Sequence, residues 1–248
     1  MSTRIRVAGF LLTGLILAAA PASAQVVQSV QFGGGFFFPR GFDSRATGDV
    51  LVRDAIGQPL NGDPTLSDTL IFDMSDFRTG HLFGEWNVGF GNHLEVAANV
   101  GFSRRSVPTI YADVIDENGR DIDQTLQLRS VPLTAVVRFL PFGQPGDVQP
   151  YVGAGVGAVF YRYSEFGSFV DTDTLEIFND RFTTTGTAPA WVILGGVRFP
   201  IGGDIYALNL EGKYLHAVGD TGGLDKGFLD DKIDLSGGMF NIGFQVRF

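Results

Sequence analysis

Leu235–Phe248 reads LSGGMFNIGFQVRF. Taken in twos from its end, Phe248, Val246, Phe244, Ile242 and Phe240 share one side, while Arg247, Gln245, Gly243, Asn241 and Met239 share the other. That is the period of a β-strand with one wholly apolar face. A wall with lipid on the outside and a polar lumen on the inside would be built from such strands.

Working outward, the same period recurs seven times. Val26–Phe38 sets Val30, Phe32, Phe36 and Phe38 against Gln31, Gly33 and Gly35. His81–Phe90 places Leu82, Trp86, Val88 and Phe90 opposite Glu85 and Asn87, and Gly91-Asn92 turns it directly into His93–Ser103. There Leu94, Val96, Ala98, Val100 and Phe102 alternate with Glu95, Ala97, Asn99 and Gly101, the cleanest strand pattern in the chain. Leu128–Phe139, Tyr151–Tyr161, Ala190–Phe199 and a strand from Tyr206 to about Tyr214 follow the same rule. The inward side of Tyr151–Tyr161 is nearly bare backbone between its end tyrosines, through Gly153, Gly155 and Gly157, which leaves room for longer side chains from across the lumen.

Eight strands can close into a ring. Their connections alternate: short ones at Gly91-Asn92, 141–149 and 200–203, and long polar ones at 39–78, 104–125, 163–185 and 218–234. The prediction is an all-β, eight-stranded antiparallel up-and-down transmembrane β-barrel with its long loops at one end. A soluble lipocalin-type barrel also has eight alternating strands, but it buries its apolar face, whereas here the charges share the face that points inward. Within the second long connection, Asn118-Gly119 has the chemistry of a hairpin turn, so the strands on either side are expected to rise above the membrane. DVLVRDAIGQPL in the first connection is read the same way.

At the other end of the chain, Arg4 and Arg6 precede an apolar run from Val7 to Ala20, followed by Pro21 and Ala22-Ser23-Ala24. This pattern predicts a cleaved signal peptide over 1–24 and a single barrel domain over 25–248. With no cysteine, disulfide scaffolds and thiol catalysis are excluded.

The leader, VPLTAVVRF, YVGAGVGAVFY and the terminal FNIGFQVRF resemble the small bacterial outer-membrane β-barrel family that includes OmpW- and OmpX-type proteins. The resemblance implies residence in the outer membrane among lipids and lipopolysaccharide. It also implies assembly by the barrel-assembly machinery through Phe244, Val246 and Phe248, in a monomer. Family roles run from narrow conduits for small apolar solutes to surface interaction proteins.

The formal charge of −9 includes Arg4 and Arg6, so the chain from Gln25 carries −11; the four long connections hold −12 and the remainder +1. An acidic chain without a basic patch is a poor partner for nucleic acid. Asp171 with Asp173 is a weak candidate for a cation, as are Asp121 with Asp123 and Asp230 with Asp231, none with EF-hand spacing. Parity sends Glu85, Glu95, Arg138, Arg198, Glu211, Lys213 and Arg247 into the lumen, where an isolated charge would cost several kcal/mol and pairing is expected. Val136, Val192 and Leu194 join them, so part of the lumen is expected to be greasy.

Pro132 cannot donate to the ladder; a place near the outer rim accounts for it, and an opening in the wall is the alternative. Of the three histidines, His216 is the nearest to a lipid-deacylase pattern, yet no serine follows it on the same strand face. No nucleophile motif, phosphate loop or histidine cluster is present, so neither catalysis nor a cofactor is expected. The functional readings are a mainly structural barrel that acts as a narrow conduit for small apolar or weakly polar solutes, or a pedestal whose acidic loops bind a partner.

Overall fold

The computed structural model describes residues 26–248 apart from Pro145, Gly202 and Asp204; the expected leader lies outside them. Eight long strands form the barrel: β1 (Val26–Pro39), β2 (Thr79–Phe90), β3 (Leu94–Ile115), β4 (Asp121–Phe139), β5 (Gln149–Val170), β6 (Ile177–Ile201), β7 (Tyr206–Asp220) and β8 (Gly237–Arg247). Each pairs antiparallel with its neighbours in sequence, and β8 pairs with both β7 and β1, from Ser29–Arg247 to Pro39–Gly237. The ring is therefore closed and leaves no long edge to be capped.

Alternation decides which side is which. Val96, Val100, Phe102, Val137, Val152, Val156, Trp191, Ile193, Leu208 and Ile242 are exposed on the outside, while Glu95, Asn99, Arg138, Arg198, Asn209 and Glu211 are buried inside. Phe244 stacks on Tyr206 with ring centroids 5.7 Å apart, Phe32 packs on its other side, and Phe248 is exposed. The short-turn end is tight, with Gly91 at φ 63° turning β2 into β3.

At the other end the hairpin expected about Asn118-Gly119 is present, and the third long connection, expected as loop, is mostly strand as well. β3 and β4 run on to Ile115 and Asp121 around the Asn118-Gly119 turn, and β5 and β6 continue to Val170 and Ile177. Much of 104–125 and 163–185 is thus raised hairpin, because the apolar residues change sides above the belt. Val107, Tyr111, Ile122, Leu126 and Tyr163 point inward and are buried, while Arg104, Arg129, Arg162 and Thr185 point outward.

What fills the raised part is the first long connection. Instead of a hairpin, DVLVRDAIGQPL forms a helix, α1 (Val50–Ile56), capped by the Asp49 side chain on the Leu51 N–H and ended by Gly57 at φ 69°. The neighbouring hairpin pairs Pro59–Leu60 with Asp63–Ser67. Val50, Leu51, Leu60, Leu70, Met74 and Phe77 pack into one cluster with Val107, Ile122, Leu126, Tyr163, Phe228 and Leu235. Burying each such side chain is worth about 1.5–3 kcal/mol, so this segment is a docked lid. Arg53 forks onto Asp68 (Nη1–Oδ1 3.0 Å, Nη2–Oδ2 2.7 Å), and the Ile71 N–H donates to Ile110 O on β3 at 2.9 Å.

Candidate functional site

The lumen is occupied in three storeys. Nearest the short turns, Asn209 Nδ2 donates to Gln31 Oε1 (2.6 Å) and Gln245 Oε1 (3.1 Å), and Gln245 Nε2 donates to Ser29 Oγ. These neutral groups close the floor.

Above and beside them lies the ionic storey. Arg138 Nη1 donates to Glu85 Oε1 (2.6 Å), Asn87 Oδ1 (2.7 Å) and Glu95 Oε1 (3.2 Å), and Nη2 donates to Glu85 Oε2 (2.9 Å) and Glu211 Oε2 (2.8 Å). Arg198 Nη2 reaches both oxygens of Glu95, at 2.9 and 3.1 Å, and Lys213 Nζ lies 3.4 Å from Glu211 Oε1. Three carboxylates thus meet three cations, each with a side chain no more than 4% exposed. Tyr151 lies under both guanidinium groups, 5.0 and 5.8 Å from its ring centre, and donates to Glu211 Oε2 at 3.2 Å. Six of the seven lumen charges read from the sequence come together here. Arg247 lies lower, beside Arg198 and Gln245 at the mouth of the floor. Asn87, Asn99, Asn241 and Tyr151 complete the network; their inward parity was visible, but not the carboxylates they would serve.

The glycines of β5 are covered from the adjacent strands rather than from across the lumen. A side chain at Gly153 would meet Arg138 and Leu194, and one at Gly155 would meet Val136.

The third storey is a small apolar chamber of about 30 Å³, room for roughly two waters. Phe37, Leu128, Pro132, Leu215, Leu235 and Met239 line its wall, and Leu51, Met74 and Phe77 of the lid form its roof. A smaller hollow beneath it, lined by His81, Phe83, Asn99, Val192, Lys213 and Asn241, leads down to the charges. Val136, Val192 and Leu194 are buried on the inside, as parity required.

The β3–β4 ladder is interrupted beside Pro132. The β3–β4 register runs to Val100–Leu133 and resumes at Ser103–Ser130, leaving Gly101, Phe102, Val131 and Pro132 out of the paired ladder. The position is near the outer rim of the belt, and Gly101, Phe102, Ser103, Ser130 and Pro132 also border the chamber. The rim position expected of Pro132 is the one it occupies; its β4–β5 pairing to Val159 is kept and its ring lies against Gly101.

Where α1 meets the barrel wall above the belt, two carboxylates are buried, Asp54 of α1 and Glu165 of β5. Burial pushes Glu165 up to about 7 and Asp54 well above the usual carboxylate range, with the Glu165 charge adding to the shift of Asp54. Burial likewise raises Tyr111 to about 12. The sequence reading left Glu165 in the long connection 163–185, but β5 runs on through it to Val170 and buries it.

His216 has a serine after all, supplied by the segment that leads into β8. Its Nδ1 lies 3.0 Å from Ser236 Oγ, which also accepts the Ala217 N–H at 3.1 Å. Ser236 is fully buried, so the pair pins the turn into β8. Asp171 Oδ1 accepts from the N–H groups of Asp173 (3.0 Å) and Thr174 (2.8 Å), and those bonds hold its carboxyl below the usual range. Among the described residues, no group of three or more acidic, histidine or cysteine side chains is placed to hold a metal ion.

No protein-family model matches the chain, and no curated protein matches it significantly. Solved structures with a similar chain path include Ail, the attachment invasion locus protein of Yersinia pestis, in complex with the heparin analogue sucrose octasulfate. It is 11% identical with a TM-score of 0.41, over 90% of this chain and 99% of that one. Others are Neisserial surface protein A (12%, 0.39, 90% and 96%) and the N-terminal β-barrel domain of Pseudomonas aeruginosa OprF (12%, 0.35, 91% and 98%).

Proposed function

We propose that the protein is an integral outer-membrane barrel, closed to water and ions. In this reading its roofed apolar chamber takes up a small apolar solute from the long-loop side and releases it into the bilayer beside Pro132. Support for the membrane comes from the continuous exposed apolar belt, since a soluble monomer rarely shows apolar patches beyond a few hundred Å². The long loops then face the cell exterior and the short turns the periplasm. Export through a cleaved leader, folding by the barrel-assembly machinery through Phe244, Val246 and Phe248, and a monomeric state belong to the same reading.

One observation carries the conduit: an apolar chamber lies directly over a neutralised plug and against the gap in the β3–β4 ladder at the top of the belt, where Gly101 and Phe102 face Val131 and Pro132 unpaired. A solute cannot pass the plug without breaking buried ion pairs, so the cheaper exit is sideways. The closed chamber, with room for roughly two waters, is too small for such a solute, so entry requires the roof residues Leu51, Met74 and Phe77 to lift and widen it. No catalytic step is assigned, because Ser236, the serine beside His216, is buried and engaged with backbone. The test is uptake of a small alkane or aromatic hydrocarbon into vesicles carrying the refolded barrel. Met74→Trp, which fills the chamber, should abolish uptake, and unchanged uptake would refute the conduit.

A second reading has its own support. The lid and raised hairpins form a folded, acidic platform above the membrane, and rigid scaffolds commonly present binding loops. Partner binding that survives Met74→Trp but is lost on replacing residues 58–68 with a short linker would favour it.

A further inference from the structure

On the outer wall, immediately above the apolar belt, three arginines stand side by side. Arg104 of β3 is in register with Arg129 of β4, and Arg129 with Arg162 of β5. All three are exposed and share the outward parity of the belt, Arg104 following Phe102 and Arg162 following Phe160. Like charges directly opposite one another destabilise a sheet. Yet none of the three has an ion pair among the described residues: Arg104 Nη2 donates to Gln127 Oε1 at 3.1 Å, and Arg129 lies over the Phe102 ring at 5.5 Å. In a chain this acidic, carboxylates were available and are kept higher on the hairpins.

Next to this row the belt is hollow. Gly34 of β1 and Gly80 of β2 face outward, and a surface groove runs between them, Leu82 and Phe102, with Arg104 at its rim. A Cβ on Gly80 would meet nothing closer than 3.8 Å, so packing does not demand glycine there.

We propose that the arginine row and the groove form one binding site for a phosphorylated lipid of the outer leaflet. Two phosphate groups sit on the row and an acyl chain lies in the glycine-floored groove. Neighbouring strands are about 4.8 Å apart, so the row spans roughly 10 Å, which suits two phosphates on one headgroup. Guanidinium forks bind phosphate oxygens in pairs, and the anion would relieve the repulsion that the row otherwise carries. The site rests on the outer-membrane reading, because only there does this rim meet the outer leaflet.

The test is native mass spectrometry of the refolded barrel in detergent with diphosphoryl lipid A, its phosphate-free form, or inorganic phosphate. Three variants are compared: R104Q/R129Q/R162Q, Gly80→Leu, and R120Q as an exposed-arginine control. The expected result is at least tenfold tighter binding of diphosphoryl than of phosphate-free lipid, a tenfold or greater loss in the triple variant, a smaller loss in Gly80→Leu, and no change in R120Q. Equal binding of the two lipids, or wild-type binding by the triple variant, would overturn the site. Inorganic phosphate binding with the same arginine dependence while Gly80→Leu has no effect would overturn its lipid half. Each sample is also run boiled and unboiled on a gel; a barrel that shifts normally but does not discriminate the lipids sinks this site alone, whereas one that never inserts sinks the outer-membrane reading too.

Discussion

Replacing Arg138 by glutamine measures whether the plug is dry. Of its five hydrogen bonds given above, those to Glu95 and Glu211 are backed by Arg198 and by Lys213, Tyr151 and Asn241. Among the described residues Glu85 has no such reserve: without Arg138 it keeps only Asn99 Nδ2 at 3.1 Å. The variant therefore leaves one buried carboxylate with a single neutral donor. Breaking a buried pair in this way costs about 3–5 kcal/mol, against about 0–1 kcal/mol for a solvated one. The assay is urea unfolding of the refolded barrel in vesicles, followed by tryptophan fluorescence. Glu85→Gln in the Arg138→Gln background should restore about 2 kcal/mol or more, because the stranded charge is gone. A single variant within 1 kcal/mol of wild type, or a double variant as unstable as the two singles summed, would show that water fills the lumen.

The chain's two tryptophans, Trp86 and Trp191, are half exposed on the belt, so brominated lipid should quench both and an aqueous quencher neither. Planar bilayers containing the wild-type barrel should show no discrete ion channels; steady conductance would refute the closed plug. The lid should loosen as pH rises. Below pH 4.5 Glu165 is protonated whether the lid is closed or open, but between 4.5 and about 7 only the closed lid holds the proton, so closure weakens across that window. The loss is about 3 kcal/mol from this carboxyl, visible as faster hydrogen exchange of the α1 amides, and Glu165→Gln should flatten it. An arginine placed at Ala98, mid-belt on β3, should cost about 2–4 kcal/mol, and one at Leu94, at the short-turn edge, about 0–1 kcal/mol.

All eight strands were legible because the belt imposes a period of two with a fixed polarity, and six of the seven lumen charges followed from parity alone. The missing parts have physical reasons. Above the belt the period persists through Val107, Thr109 and Tyr111 and through Ile122, Gln124 and Leu126, but the apolar side is now the inner one. Asn118-Gly119 still marked the β3–β4 part as a raised hairpin, whereas the β5–β6 part, read with the lower polarity, looks like polar loop. α1 was missed because seven residues give barely two turns of helical period, although Asp49 and Gly57 are ordinary start and stop residues. Ser236 meets His216 only through the return of the chain into β8, which no local pattern encodes.

That change of side also marks where hydrocarbon ends. On β3 the outward apolar run covers Leu94 to Phe102, about 26 Å of strand at 3.3 Å per residue. Tilted by about 40°, it stands roughly 20 Å tall, close to the band of a membrane barrel once ring and side-chain reach are added. Just beyond it come Arg104, Arg129 and Arg162 on the outside, and at the same level the inside begins to fill with lid. The two events have one cause. A raised strand facing water outward has no lipid to cover apolar side chains, so the strands turn them inward, and the wider, drier mouth they create must be filled. The first long connection supplies that filling, which explains why it is folded rather than loose and why burial raises the Glu165 and Asp54 carboxyls above their usual range. Lid, arginine row and belt edge are thus consequences of a single boundary, and moving that boundary by substitution on β3 should disturb all three together.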